Sequence, residues 1–192
     1  MRIAPLIAAM SREIAPGSAT QLRRHAGPDI VCLVLAGVVL YEPAGAPTVA
    51  LWAENVAVLS TGAGVEYRWR SIGDEPARVA MLWLLGNAEG VPRIDVRMAR
   101  RLDRLGRLAP IAGRDTELPT RGDVRVMAGV LPVGRSLVHT ARGPRSYVMS
   151  TIGAISADGV EAAAGDGVVI DRAGEIRVSA RQSTEVVIVE TV

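Results

Sequence analysis

Short apolar runs, rich in Val, Ile and Leu, alternate with turn residues along most of this 192-residue chain. The turns contain Gly, Pro, Asp and Asn, so the runs are typical of strands that follow one another closely. The clearest runs cover residues 30–40, 56–59, 79–85, 124–130, 168–170 and 185–189. Many short strands with only one helical segment predict an all-β sandwich or barrel.

The single segment with a helical pattern covers residues 96–108. Met98, Leu102 and Leu105 would lie on the inner face of a short helix, and arginines would cover its outer face. The same arginines could instead form a nucleic-acid patch. No aromatic residue accompanies them and the net charge is only +2, so we favour a solvated helix and expect no nucleic-acid partner.

The chain also contains a weak internal repeat. Residues 10–17 resemble residues 127–134, and residues 53–59 resemble residues 164–170, with similar offsets of 117 and 111 residues. Because the order of the matches is preserved, the repeat predicts a duplicated β-barrel. The expected domains are an N-terminal barrel over 1–95, a linker helix over 96–108 and a C-terminal barrel over 109–192.

The amino-acid composition excludes several kinds of catalytic and structural chemistry. All 22 basic residues are Arg, so Schiff-base and P-loop chemistry that requires a lysine is excluded. Cys32 is the only cysteine and lies in an apolar run, which excludes a disulfide and favours a cytoplasmic location. The chain contains no run of 18 apolar residues, so we expect no membrane span and no membrane partner.

Several motifs resemble the pirin-like family, which includes enzymes of the quercetin 2,3-dioxygenase type. Residues 29–37 resemble an apolar strand that ends in Leu-Glu-Gly in the family, and residues 62–69 resemble its Gly-x-Gly-x-x-His-Ser-Glu motif. Residues 81–83 resemble its Gln-Leu-Trp strand, and residues 163–167 fit its C-terminal cupin. The resemblance implies two tandem cupin barrels of the jelly-roll, or double-stranded β-helix, type joined by a short helix.

The resemblance also implies where a metal would bind. In the family, a His-x-His pair and a later His and Glu hold one metal ion, and these positions correspond here to Arg23, His25, Tyr67 and Trp69. Only His25 keeps the ligand type. A transition metal needs several imidazole or carboxylate ligands, and a guanidinium would repel it. We therefore expect no metal and no other cofactor.

The same positions predict a different kind of pocket. Tyr67 and Trp69 are two residues apart on a strand and share a face, as do Arg23 and His25, while Met81 lies on a neighbouring strand. These five residues would line a cavity in the N-terminal barrel, with Arg23 at its mouth. Such a cavity would suit a small apolar or conjugated molecule with an anionic or carbonyl end. The alternatives are plain core packing and a solvated barrel rim.

Three classes of function remain open from the sequence. The first is a metal-free pocket that binds a small molecule or catalyses a reaction of the isomerisation or cyclisation type. The second is a metal-dependent quercetinase-type dioxygenase with unusual ligands. The third is a non-enzymatic module that acts through protein partners, which the resemblance to pirins also implies. Fold alone does not decide among them.

Overall fold

The computed structural model describes residues 5–191, and almost all regular structure in this range is β-strand. The all-β prediction is confirmed. No helix in the described range is long and apolar enough to cross a membrane. The strands are β1 (Leu6–Ile14), β2 (Arg23–His25), β3 (Asp29–Ala36), β4 (Val38–Pro43), β5 (Val49–Trp52), β6 (Asn55–Ser60), β7 (Val65–Ile72), β8 (Ala77–Leu84), β9 (Arg93–Met98), β10 (Leu108–Gly113), β11 (Val124–Leu131), β12 (Ser136–Ala141), β13 (Ser146–Ile152), β14 (Ile155–Ala157), β15 (Val160–Ala162), β16 (Gly167–Ile170), β17 (Gly174–Ala180) and β18 (Thr184–Thr191).

Each half of the chain forms one five-stranded and one four-stranded antiparallel sheet. The first half gives the orders β1-β8-β3-β6-β9 and β2-β7-β4-β5. The second half gives β10-β11-β18-β13-β16 and β12-β17-β14-β15. If β9 and β10 are set aside, the two halves have the same strand order, with β11 in the place of β1 and each later strand following in turn.

The segment between the halves differs from the expectation. The predicted helix over 96–108 is wrong: β9 occupies Arg93–Met98, a single 3-10 turn covers Leu102–Arg104, and β10 begins at Leu108. β9 extends the first five-stranded sheet by pairing with β6, with Ala57 opposite Val96. The hydrogen bonds to the sheet edge outweigh a helical pattern that is only a weak local preference.

Strand alternation divides the core into three layers. On β3, Ile30, Cys32 and Val34 face the four-stranded sheet of the same half, whereas Val31 and Leu33 face the other half of the chain. The second half repeats this arrangement on β18, where Val187 and Val189 face the first half. The two five-stranded sheets therefore pack face to face, and each half keeps a separate core behind its own sheet.

A buried ion pair fixes the linker to the second half. The Arg104 guanidinium is almost fully buried and donates both to the Glu185 carboxylate and to the Ala99 carbonyl. Arg101 donates to the other oxygen of Glu185 at 3.1 Å. Because Glu185 is itself buried, these contacts compensate a carboxylate that would otherwise be unpaired in the core.

Candidate functional site

A small cavity of about 90 Å³ opens in the first half, between the edge strand β1 of one sheet and the edge strand β2 of the other. It is lined by Met10, Arg12, Thr20, Gln21, Arg23, His25, Tyr67, Trp69, Met81 and Trp83. The floor is formed by aromatic and thioether side chains, and the polar groups lie at the mouth. A small concave site of this kind has the general composition of a ligand pocket.

The structure brings all five residues singled out in the sequence to this cavity. Tyr67 and Trp69 on β7 are each 3% exposed, and Met81 on β8 is 2% exposed. Arg23 and His25 on β2 are more accessible, and Arg23 lies at the rim. That the cavity binds a ligand remains a prediction.

The pairing of β2 with β7 explains why these side chains meet. Arg23 lies opposite Tyr67, and His25 lies opposite Val65. Alternation along β7 then sends Tyr67 and Trp69 inward, while Arg68 and Arg70 point outward. On that outer side, both arginines donate to Glu42 of β4, at 2.5 Å from Arg68 Nε and 2.8 Å from Arg70 Nε. These two contacts help to fix the pairing of β4 with β7, and so the inward direction of the aromatic side chains.

Two of the rings that line the cavity, Tyr67 and Trp69, pack against a third aromatic ring behind them, that of Tyr41. Tyr41, on β4, lies 5.4 Å from Tyr67 and 5.2 Å from Trp69 between ring centroids, and Tyr67 lies 5.9 Å from Trp69. Such spacings suit tilted and edge-to-face packing. Tyr41 was not among the predicted site residues. Its position opposite Trp69 depends on the pairing of β4 with β7, which no local sequence motif reveals.

His25 and Tyr67 are joined by a hydrogen bond of 3.0 Å between His25 Nδ1 and the Tyr67 hydroxyl. Burial, and then the positive charge of Arg23, lower the pKa of His25 below its usual 6.5. Burial also raises the pKa of the Tyr67 hydroxyl. At neutral pH the pair is therefore an uncharged imidazole bonded to an uncharged phenol, which can orient a polar group or exchange a proton with it.

Two arginines give the cavity mouth a positive field. Within residues 5–191, neither Arg12 nor Arg23 forms a salt bridge or a side-chain hydrogen bond. No Asp or Glu of the described chain lines the cavity. Guanidinium groups bind planar oxyanions through paired N–H donors. The free donors and the missing carboxylates together favour an anionic or carbonyl group at this mouth.

The donor set does not fit a transition metal. The positions that hold the metal in the pirin-like family carry a guanidinium, an imidazole, a phenol and an indole here. The Nδ1 atom of the one imidazole is already hydrogen-bonded to Tyr67. In the part of the chain that the structure describes, no three His, Cys, Asp or Glu side chains are grouped as metal ligands. A divalent ion would need several such ligands at one point.

Comparisons with known proteins agree with this fold. Residues 108–191 match the family model described as the quercetinase C-terminal cupin domain. A Pseudomonas aeruginosa protein with the provisional name quercetin 2,3-dioxygenase is 28% identical over 184 residues, which cover 93% of this chain and 79% of that protein. A pirin-like protein of Caulobacter vibrioides is 25% identical over 184 residues, with the same coverage of both chains.

A solved structure shows the same architecture. The bacterial pirin YhhW of Escherichia coli, in complex with nickel(II), superposes with a TM-score of 0.82 over 97% of this chain and 82% of its own, at 20% identity. The chain therefore has the all-β fold of the cupin class. Within that class, the sequence and structure comparisons show that the chain is similar to pirin-like cupin proteins, and the resemblance found in its motifs is confirmed.

Proposed function

We propose that this chain is a two-barrel cupin protein whose N-terminal barrel binds a small organic anion without a metal. The repeated strand order of the two halves supports the two-barrel arrangement. The observation that supports the binding site most directly is the pair of arginines, Arg12 and Arg23, which lie over an apolar floor and have no salt-bridge partner among residues 5–191. A carboxylate or a polarised carbonyl would supply the missing acceptor.

The dimensions of the cavity limit what enters it. A volume of about 90 Å³ is well below the roughly 300–1,000 Å³ that is common for drug-sized ligands. The cavity therefore suits a small polar end such as a carboxylate rather than a whole ligand of that size. A larger apolar or conjugated remainder would lie outside it, against Met10 and the partly exposed Trp83 at the rim.

His25 and Tyr67 extend the proposal from binding to catalysis. An uncharged imidazole beside the anion can accept a proton from the bound molecule, and the Tyr67 hydroxyl at 3.0 Å keeps the ring in one orientation. A reaction of the isomerisation or cyclisation type requires only such proton transfer and a held conformer. His25 is the residue to which we assign this role, and Arg23 is the residue that we expect to hold the anion.

The names of several relatives suggest a different reaction, the oxygenation of a flavonol. The donor set at the family's metal position supports this alternative poorly, since only His25 keeps the family's ligand type there. We expect the purified protein to contain less than about 0.2 equivalents of transition metal. Elemental analysis that finds about one equivalent, lost in His25→Ala, would favour the metal-dependent alternative.

The proposed site can be tested with a matched pair of small probes. Benzoate and benzyl alcohol share a ring and differ in charge, so saturation-transfer NMR should detect benzoate binding and a much weaker signal from the alcohol. Arg23→Gln should weaken benzoate binding by about fivefold or more, because one charged donor is lost. Arg24→Gln is the control, since Arg24 is the next residue of β2 and does not line the cavity.

The outcomes separate the three classes of function. Equal effects of Arg23→Gln and Arg24→Gln would show that the anion is held by general surface charge rather than by this cavity. Absence of benzoate binding at millimolar concentration would remove the small-anion site. The class of non-enzymatic modules that act through protein partners would then be the better account of this fold.

A further inference from the structure

A second and larger cavity lies on the opposite side of the first half. Its volume is about 620 Å³, and it opens between the edge strand β5 of one sheet and the edge strand β9 of the other. The turn between β4 and β5, the start of β7 and residues 91–94 form its walls. The Tyr41 ring belongs to this cavity, whereas Tyr67 and Trp69 line the small one, so the three-ring cluster stands between the two.

The walls of the large cavity are apolar and conformationally restricted. Pro43, Pro47 and Pro92 contribute rings with a fixed backbone φ, and Val49, Val65 and Ile94 contribute β-branched side chains. Such surfaces lose little conformational entropy when a ligand packs against them. The volume falls within the range of roughly 300–1,000 Å³ that is common for small-molecule sites.

The charges at this cavity differ from those at the small one. Glu66 and Arg93 are its only charged lining residues among those described. Arg93 Nε is already paired with Asp95, at 3.2 Å. The one guanidinium that lines the cavity in the described chain is therefore already paired, and the Glu66 carboxylate would repel an anion. Tyr41 contributes a phenol that stays uncharged, because burial raises its pKa to about 12.

We propose that this second cavity binds a neutral, ring-bearing apolar molecule that packs against Tyr41. The apolar walls, the volume and the Glu66 carboxylate all point to a ligand that is not an anion, and the apolar character of the walls favours an uncharged one. Val91, which is 83% exposed at the rim, supplies an apolar surface that such a ligand would cover. The two cavities of the first half then select ligands of different charge on the two sides of one aromatic wall.

The test uses two fluorescent probes that differ in charge. N-phenyl-1-naphthylamine is neutral, its sulfonate analogue 8-anilinonaphthalene-1-sulfonate is an anion, and both become brighter on leaving water. We expect the neutral probe to bind the wild-type protein. Val91→Asp should weaken this binding by about fivefold or more, because it places a charge on the apolar rim. Ala46→Trp should weaken it as well, because the added ring occupies the cavity.

Two controls separate this site from other apolar surfaces. Val133→Asp adds the same charge at an exposed valine of the second half and should leave the affinity of the neutral probe unchanged. Arg23→Gln should also leave it unchanged, since Arg23 belongs to the small cavity. Thermal unfolding verifies that each variant is folded.

Three results would overturn the proposal. The first is a neutral probe that does not bind, and the second is one whose affinity falls equally in Val91→Asp and Val133→Asp. The third is that Arg23→Gln abolishes binding of the neutral probe while Val91→Asp and Ala46→Trp leave it unchanged. That result would assign the probe to the small cavity. Because the benzoate experiment reports on Arg23 alone, either proposal can fail while the other stands.

Discussion

The two halves of this molecule have the same strand order but fill their interiors with different side chains. In the first half, Tyr41 on β4 lies opposite Trp69 on β7. At the equivalent place in the second half, Ala157 on β14 lies opposite Val178 on β17. The first half therefore carries large rings with cavities on either side, whereas the second half is packed with aliphatic side chains.

The polar groups near β2 and β12 differ in a corresponding way. Arg23 lies opposite Tyr67, and His139 lies opposite Ile176, so Arg23 and His139 occupy equivalent positions. His139 Nε2 lies 2.9 Å from the buried Glu190 carboxylate, which also accepts hydrogen bonds from the backbone N–H groups of Arg142 and Gly143. Arg23 has no such partner within residues 5–191.

This difference is the reason why we propose the ligand site in the first half and not in the second. A buried carboxylate with three donors is satisfied by the protein itself and offers nothing to a small molecule. Arg12 and Arg23 have no acceptor among residues 5–191, so they can bind one that a ligand supplies. One scaffold thus carries an internally satisfied polar cluster in one half and an open set of donors in the other, and the following predictions test this contrast.

The largest expected effect is on stability, from truncating the aromatic wall. Trp69→Ala should lower the free energy of unfolding by about 4 kcal/mol, because a buried indole is replaced by a void. The equivalent change in the second half, Val178→Ala, should cost about 2 kcal/mol, since only two buried carbon atoms are removed. Urea unfolding measures both. Equal losses would mean that the aromatic cluster is not the main core of the first half.

The second prediction concerns the buried Glu190 carboxylate and the hydrogen-bond donors around it. Glu190→Ala should lower the free energy of unfolding by about 3 kcal/mol, because His139 and two backbone N–H groups lose their acceptor in a buried place. Glu175→Ala serves as the control, since Glu175 is exposed on β17. A loss in Glu190→Ala no greater than that in Glu175→Ala would contradict the contrast between the two halves.

The same carboxylate sets a dependence of stability on pH. Burial alone would raise the pKa of Glu190, but the N–H groups of Arg142 and Gly143 and the His139 side chain together lower it below 4.5. The unfolded chain then binds a proton more readily than the folded one in acid, so this contribution is present above pH 4.5 and is lost as the pH falls through the folded pKa. The wild type should lose stability on acidification, and Glu190→Ala should lose less.

Strand positions and inward faces could be predicted from the sequence because they follow local alternation. Tyr67 and Trp69, two residues apart, reach the same cavity as Arg23 and His25. The helix over 96–108 was predicted wrongly because Met98, Leu102 and Leu105 have helical spacing only by coincidence. Met98 ends a strand, and Leu102 begins a 3-10 turn that leaves Leu102 and Leu105 exposed.

Other features could not be predicted because they depend on contacts between distant strands. His139 and Glu190 are 51 residues apart and meet only when β12 approaches the end of β18. Tyr41 reaches Trp69 only through the pairing of β4 with β7. The spacing of residues along one strand carries no information on such pairs, and neither does the composition.

The smallest expected effect, and the most specific, is on the ionisation of His25. Burial and the charge of Arg23 both lower the pKa of this imidazole. Arg23→Gln removes the second cause, so the pKa of His25 should rise towards 6.5 while the first cause persists. Arg24→Gln should change it less, because Arg24 faces the other side of β2. NMR titration measures this directly, since the chain has only two histidines and a His139→Gln variant assigns the signals.

The lowered pKa of His25 also determines the direction in which the stability of the protein changes with pH. A lowered folded pKa means that the unfolded chain binds a proton at His25 more readily, so stability linked to His25 is lost as the pH falls from 6.5 through the folded pKa. Arg23→Gln should make this dependence shallower. Benzoate should act on the wild type in the same direction as Arg23→Gln and raise the His25 pKa, because an anion in the cavity favours the imidazolium. A His25 pKa that responds neither to Arg23→Gln nor to benzoate would mean that the guanidinium, the imidazole and the anion do not share one cavity.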